Sequence, residues 1–218
     1  MNTFAIDNQI LDKEETMPRT ELQALQLKRL RETVARAMNV PFYKKEFAER
    51  GITPDSIQTL SDVRRLPFTT KEDMRSNYPL GLCAVPRTEL ARIHGSSGTT
   101  GMPTFVGYTH QDLKTWARLC ARFLVAGGLR PGHTAQIAFG YGLFTGGFGL
   151  HYGVEEVGAA VLPVSSGNTT RQVQLMRDLQ PDALICTPSY ALNIAEVARG
   201  MGIDPRTLSL RFAHFGGE

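Results

Sequence analysis

The sequence lacks the features that mark several large classes of protein. It has no strong excess of either charge, since 24 Lys and Arg face 21 Asp and Glu among 218 residues. A nucleic-acid-binding chain would usually carry a strongly basic face, so this class is disfavoured. No uninterrupted apolar run reaches the roughly 18 residues that a membrane-spanning helix needs. We therefore expect neither nucleic acid nor a membrane as a partner.

Cysteine is also scarce. The chain has Cys83, Cys120 and Cys186, which are far apart and form no C-x-x-C pair. An odd number of widely spaced cysteines argues against a disulfide framework or a zinc site and fits a reducing compartment. A chain of this length can bury an adequate core without such staples. We therefore expect a cytoplasmic protein without a metal site of its own.

The first ninety residues carry helix signals and no catalytic pattern. Helix starts are predicted at Thr20 and Thr70, each followed three residues later by a side chain that can complete a capping box. Gly51 is predicted to end a helix over 42–50. Residues 1–90 are therefore predicted to form a mostly helical segment.

From residue 91 onward, short apolar strand patterns alternate with helical patterns, including helices over 170–179 and 189–201. This alternation predicts βαβ units and a mostly parallel sheet, so the fold class is α/β with a helical layer before the sheet. Ligands of such sheets bind at the carboxyl ends of the strands. Five Gly-, Ser- or Thr-rich segments are predicted to lie at that edge: HGSSGTTG, FGYGLFTGG, SSGNTT, TPSY and FGGE. We therefore place the candidate site of 91–218 there.

The segment from Gly95 to Thr104 has the composition of an anion-binding loop, although it contains no lysine. Neither the Walker A spacing nor the dinucleotide fingerprint fits it. Gly98 and Gly101 permit backbone turns that point successive N–H groups inward, and such turns bind anions. Ser and Thr hydroxyls beside these glycines add further donors. A flexible polar turn is the alternative, but the composition favours phosphate binding.

Aromatic residues cluster among the glycines of FGYGLFTGG. Phe139, Tyr141 and Phe144 are predicted to line an apolar pocket that suits an aromatic ligand, because glycine lets flat rings approach the backbone. Phe148, inside the following helix, is predicted to belong to the core. The five histidines are more typical of structural positions, so no catalytic residue is assigned.

These motifs resemble those of the adenylate-forming enzymes, the acyl-CoA synthetase superfamily. SSGTTGMPT resembles the superfamily's phosphate loop, and FGYGLFTGG with TPSYALN resembles the phenylacetate–CoA ligases. The resemblance implies the large amino-terminal domain of these enzymes, here incomplete. It also implies the conversion of phenylacetate, ATP and CoA to phenylacetyl-CoA, AMP and diphosphate through an acyl-adenylate, in phenylacetate catabolism. Mg²⁺ would accompany ATP, and relatives suggest a homodimer.

The resemblance and the composition together give two sets of candidate site residues. The nucleotide-binding set is Ser96, Ser97, Gly98, Thr99, Thr100, Gly101, Gly216, Gly217 and Glu218. The substrate-binding set is Phe139, Tyr141, Phe144, Thr145, Ser189, Tyr190 and Gly217.

The chain departs from the family pattern at several points. Relatives usually have a lysine where Met102 stands, which predicts weaker handling of ATP. They tend to have a tyrosine where Phe139 stands. The family's later motifs would follow Glu218, so the 218-residue chain alone is expected to be inactive and to be the amino-terminal part of a longer enzyme. Two alternatives stay open: a ligase for a benzoate-, anthranilate- or indoleacetate-like acid, and a truncated, non-catalytic module that binds nucleotide or aryl acid.

Overall fold

The computed structural model describes residues 9–96 and 102–217. The helices in these ranges are α1 (Arg19–Ala37), α2 (Pro41–Glu49), α3 (Lys71–Ser76), α4 (His110–Ala126), α5 (Gly146–Val157), α6 (Thr169–Leu179) and α7 (Pro188–Gly200). The strands are β1 (Leu90–Gly95), β2 (Phe105–Thr109), β3 (Thr134–Ile137), β4 (Ala160–Leu162), β5 (Ala183–Cys186) and β6 (Phe212–Phe215). No helix in the described part of the chain is long and apolar enough to cross a membrane.

The chain divides into two compact units. One unit is Lys13–Gln111, and the other joins Met1–Asp12 to Asp112–Glu218. The first unit includes the β1–β2 hairpin as well as the helical segment, because these strands pair with each other. The predicted division into 1–90 and 91–218 stays a prediction about domain boundaries.

The first unit has a small helical core. The residues at its centre are at most 4% exposed: Val34, Phe47, Ile52 and Ile57. Thr70 caps α3 in a full capping box with Asp73, as the sequence predicts. The predicted cap at Thr20 is wrong, because α1 already begins at Arg19 and no side chain caps it. Pro18 precedes that helix, and its fixed backbone torsion suits a helix start.

The pairing of β1 with β2 corrects the prediction that the 96–104 segment follows a strand of the parallel sheet. β1 and β2 form a separate antiparallel sheet, with Gly95 opposite Phe105 and His94 opposite Val106. The 96–104 segment therefore joins two antiparallel strands, and it does not follow a strand of the parallel sheet. From the sequence, five loops were predicted to lie at one sheet edge. Among the described residues, four of these loops each follow a strand of the parallel sheet.

The second unit is built on a four-stranded parallel sheet with the strand order β4-β3-β5-β6, which confirms the predicted α/β class. Side chains of neighbouring residues point to opposite faces of a strand. Ala135 and Ile137 pack with α4 and α5, whereas Ala138 packs with α6 and α7. Gln136 shares the second face with Ala138. We name the α4–α5 side the cavity face and the α6–α7 side the amide face.

Candidate functional site

A cavity of about 570 Å³ opens on the cavity face near the carboxyl ends of β3, β5 and β6. Its volume lies in the range of roughly 300–1,000 Å³ that is usual for small-molecule sites. The lining residues are Trp116, Cys120, Phe123, Phe139, Phe144, Thr145, Gly146, Gly149, Leu150, Ile185, Ala213, His214, Phe215, Gly216 and Gly217. None of them is Asp, Glu, Lys or Arg. The cavity therefore suits the uncharged body of a ligand.

Glycines bring α5 close to α4 and form one side of this cavity. A Cβ at Gly149 would overlap the indole ring of Trp116, and a Cβ at Gly153 would lie 2.5 Å from Cys120 Cβ. Real Cβ atoms do not approach other atoms so closely, so only glycine permits this packing. The four-residue spacing of the two glycines places them on the same side of the helix.

Four predicted substrate-binding residues lie around the cavity. Phe139 and Phe144 supply rings, Thr145 precedes α5, and Gly217 closes the wall at the end of β6. Phe144 is 63% exposed, so its ring faces the open side of the cavity. Gly217 has φ +87°, and a Cβ there would be 3.4 Å from the Phe139 ring. Gly216, a predicted nucleotide-binding residue, lies in the same wall.

Tyr141 does not line the cavity, although it was predicted as a pocket residue. Its hydroxyl lies 3.2 Å from Nδ1 of His151, and its ring meets Phe148 edge to face. Burial raises the pKa of Tyr141 to about 12, with a smaller contribution from the nearby Glu155 carboxylate. Tyr141 and Phe148 therefore support the turn after β3 from behind.

Ser189 and Tyr190 also lie away from the cavity wall. They belong to the first turn of α7, where Thr187 Oγ1 accepts a hydrogen bond from the Tyr190 backbone N–H at 3.3 Å. The Tyr190 hydroxyl donates to the Gly167 carbonyl at 3.2 Å, and its oxygen lies 3.0 Å from Gln172 Nε2. These contacts are on the amide face. A role of either residue in binding the substrate stays a prediction.

Gln172 is the centre of this buried amide network. It is 2% exposed, and its Nε2 also donates to the carbonyls of Ser165 at 3.0 Å and Gly167 at 2.8 Å. Its Oε1 accepts from Gln136 Nε2 at 3.3 Å. The network fixes the loop after β4, in which Ser165 and Asn168 both have positive φ.

Ser96 lies at the neck of the predicted phosphate loop. Its backbone N–H donates to the Thr104 carbonyl at 3.0 Å, and its Oγ accepts from the Thr104 N–H at 3.0 Å. Ser96 thus closes the loop by pairing its two ends. The rest of the predicted nucleotide-binding set lies outside the described residues: Ser97, Gly98, Thr99, Thr100, Gly101 and Glu218.

Among the cavity residues that were not predicted from the sequence, three carry a polar or titratable side chain: Trp116, Cys120 and His214. Trp116 and Cys120 lie on α4, whose apolar periodicity indicated only a core face, and His214 lies on β6. Burial raises the pKa of the Cys120 thiol and lowers the pKa of His214, so both groups are neutral near pH 7. The signal that could have found His214 is its position two residues before Gly216, at the end of a predicted strand.

The comparisons with known proteins point to one group of enzymes. The chain is 50% identical over 213 residues to a phenylacetate–CoA ligase of Pseudomonas putida, which covers 97% of this chain and 48% of that protein. It is 53% identical over 205 residues to a phenylacetate–CoA ligase of Thermus thermophilus, which covers 94% of this chain and 46% of that protein. The chain matches the amino-terminal half of the phenylacetate–CoA ligases. It spans about half the length of the curated relatives that it matches.

A solved structure that resembles the chain is also that of a CoA ligase. A 2-hydroxyisobutyryl-CoA ligase, crystallised with 2-HIB-AMP and CoA in the thioesterification state, matches with a TM-score of 0.89 and 33% identity. The match covers 97% of this chain and 48% of that protein. No family model matches the chain. The phenylacetate–CoA ligase-like chain therefore has the amino-terminal fold of an adenylate-forming CoA ligase.

Proposed function

We propose that this chain forms the acid-binding part of a phenylacetate–CoA ligase. The enzyme would activate the carboxylate of phenylacetate with ATP, release diphosphate, and transfer the acyl group from AMP to the thiol of CoA. The observation that carries this proposal is the uncharged, aromatic-lined cavity at the carboxyl edge of the sheet. Its wall includes Phe139, Phe144 and Trp116, and it ends at Gly216 and Gly217.

The cavity assigns a physical task to this part of the enzyme. An aryl ring that moves from water into this site meets no charged side chain in the wall. Its transfer therefore does not require a charged group to lose its hydration. The carboxylate would stay at the Gly216–Gly217 end, where backbone groups are accessible to the nucleotide. This arrangement accelerates the reaction by positioning the acid, and it needs no nucleophile from the protein. The aryl acid is therefore held by shape, and its reactive end is left free.

We propose that the 96–101 loop holds the ATP phosphates. Backbone N–H groups and hydroxyls of Ser and Thr residues are suitable donors to phosphate oxygens. Ser96 contributes by fixing the neck of the loop through Thr104. The described residues contain no group of three or more His, Cys, Asp or Glu side chains that could hold a metal ion. We therefore propose Mg²⁺ only as the companion of ATP and assign it no ligand.

The test is phenylacetate-dependent exchange of labelled diphosphate into ATP by the natural full-length protein. We expect exchange that requires phenylacetate and Mg²⁺, followed by phenylacetyl-CoA formation when CoA is added. The isolated 218-residue chain is expected to show neither reaction. A full-length protein that binds ATP or phenylacetate in calorimetry but catalyses no exchange would instead support a binding module.

We further propose a cytoplasmic location and a homodimer. Cys83, Cys120 and Cys186 are not joined in disulfides, which fits a reducing compartment. Fractionation of the native cells tests the location, and light scattering of the full-length protein tests the oligomeric state.

A further inference from the structure

His214 is the one imidazole in the wall of the cavity. Its strand neighbour is Ile185, and both side chains point to the cavity face, because paired residues of a parallel sheet share a face. The ring packs edge to face against Phe123, with 6.2 Å between the ring centroids. It also lies against Gly127, where a Cβ would overlap the imidazole. The side chain is therefore held in place by apolar contacts.

The imidazole of His214 is not satisfied by the protein. Its Nε2 is buried and has no hydrogen-bond partner among the described residues. Burial lowers the pKa of His214, so the ring is neutral near pH 7 and offers one donor and one acceptor. A buried polar atom without a partner is unfavourable, and a ligand that supplies the partner removes this cost.

The position of His214 relative to the proposed reactive end is also informative. It lies two residues before Gly216 on an extended strand, which corresponds to about 6.6 Å along the chain. This separation is comparable to the length of an arylacetate from its carboxyl carbon to a substituent on the far side of the ring. An acid with its carboxylate near Gly216 would thus bring a ring substituent to the imidazole.

We propose that His214 makes this cavity selective for arylacetic acids that carry a hydroxyl group on the ring, through a hydrogen bond between that hydroxyl and the imidazole. The inference rests on the proposed function and specifies its substrate class. Phe139 and Phe144 offer only apolar surface to such an acid. The Tyr141 hydroxyl lies beside His151 and outside the cavity wall. His214 is therefore placed to recognise a polar ring substituent.

The test compares substrates in the natural full-length enzyme. Diphosphate exchange is measured with phenylacetate and with each of its three monohydroxylated isomers. We expect at least one hydroxylated acid to have a higher kcat/KM than phenylacetate. His214→Leu should lower the ratio of kcat/KM for that acid to kcat/KM for phenylacetate by about tenfold. His214→Gln, which keeps a donor and an acceptor, should restore most of the ratio.

His110→Leu is the matched control, because His110 is an exposed histidine at the start of α4. It should leave the substrate ratio unchanged. A ratio that is equal in the wild-type, His214→Leu and control enzymes overturns the role of His214 while the ligase function stands. An absence of exchange with every aryl acid overturns the ligase function and this inference together.

A second measurement does not depend on the stability of the variants. The wild-type enzyme is labelled with ¹⁵N-histidine, and its imidazole resonances are followed by NMR during titration with each acid. The preferred hydroxylated acid should shift the His214 ring nitrogens, whereas phenylacetate should shift them much less. Equal shifts with both acids would contradict the proposed hydrogen bond.

Discussion

On the cavity face of the parallel sheet, glycines and aromatic rings leave a space of about 570 Å³ between the sheet and its helices. On the amide face of the same strands, Gln136 and Gln172 are buried at 0% and 2% exposure and bond to each other. The two faces begin from adjacent residues, since Gln136 and Ile137 point in opposite directions. One face thus uses shape to receive an apolar group, and the other uses hydrogen bonds to hold a loop.

The difference shows which face of the sheet accommodates buried, hydrogen-bonded polar side chains. The loop after β4 has a left-handed backbone at Ser165, Gly167 and Asn168, and Gln172 stabilises it by donating to two of its carbonyls. Among the described residues, the lining of the cavity contains no pair of buried amide side chains like Gln136 and Gln172. Of its few polar side chains, His214 has a buried Nε2 without a partner among these residues. Substitutions can test each half of this comparison.

The largest expected effect is the loss of Gln172 on the amide face. Gln172→Leu would leave the Ser165 carbonyl and the Gln136 amide without their partner, and each such loss costs about 1–3 kcal/mol. We expect the free energy of unfolding to fall by about 3 kcal/mol, measured by urea denaturation.

Gln136→Leu is the matched control for this loss. Gln136 makes one hydrogen bond to Gln172, and its Oε1 already lacks a partner among the described residues. We expect a loss of about 1 kcal/mol, since only one bond is removed. Equal losses in the two variants would show that Gln172 does not have the central role in the network.

The next effect is on the packing that shapes the cavity. Gly149→Ala would push a methyl group into Trp116, and such overpacking costs about 1–3 kcal/mol. The gain in helix propensity offsets about 1 kcal/mol of this. We expect a net loss of up to about 2 kcal/mol and a smaller cavity. Thermal unfolding measures the first effect, and the KM for phenylacetate in the full-length enzyme measures the second.

Gly200→Ala, at the end of α7, controls for helix propensity. No atom lies within 4 Å of a Cβ placed at this residue. The substitution should be neutral or should stabilise the protein by about 0.5 kcal/mol. If both alanine variants change stability in the same direction and by the same amount, close packing at Gly149 is not the cause.

The sequence predicted the helices and the parallel strands better than the cavity. The starts predicted for α6 and α7 were correct to within one residue, because Asn168 and Thr187 are N-cap residues directly before them. Phe139 and Phe144 were found because they stand among glycines. Trp116 and His214 were missed because their periodicity is that of ordinary core residues. Only the packing of glycine-containing α5 on α4 shows that this part of the core contains a cavity.

The same argument explains why Tyr141 lies outside the cavity wall, and its predicted role in binding the substrate stays a prediction. A tyrosine between two glycines looks like a pocket residue in the sequence, but the turn directs its ring to His151 and Phe148. Which side of a glycine-rich turn receives a ring depends on backbone torsions that residue types do not determine. The antiparallel pairing of β1 and β2 was likewise decided by contacts between distant residues. Local patterns alone did not contain it.

A smaller effect is expected at Tyr141, behind the cavity. Its folded-state pKa is raised to about 12, above the ordinary value of 10. Stability is therefore fully present below pH 10 and is lost as the pH rises from 10 to about 12, because the unfolded chain ionises first. Tyr141→Phe should remove this alkaline loss and cost about 1 kcal/mol at pH 7 through the bond to His151. Unfolding curves of the wild-type and Tyr141→Phe proteins at pH 7 and pH 11 measure this loss. If the variant loses as much stability between the two pH values as the wild type, Tyr141 is not the source of the loss.

The smallest effect is expected at Asp204, after α7, where a titratable group is exposed and not buried. The Arg206 side chain donates to this carboxylate, as does the Arg206 backbone N–H, and together they lower the pKa of Asp204 to about 2. The contribution of Asp204 to stability is present above its ordinary value of 3.8 and is lost as the pH falls towards 2. Arg206→Ala should raise the pKa towards 3.8 without reaching it, because the backbone bond remains, and NMR titration of the carboxyl carbon measures this. A pKa that stays near 2 would assign the shift to the backbone alone. Either result sharpens the contrast with Tyr141, since burial perturbs the group behind the cavity, whereas a local ion pair perturbs the exposed one.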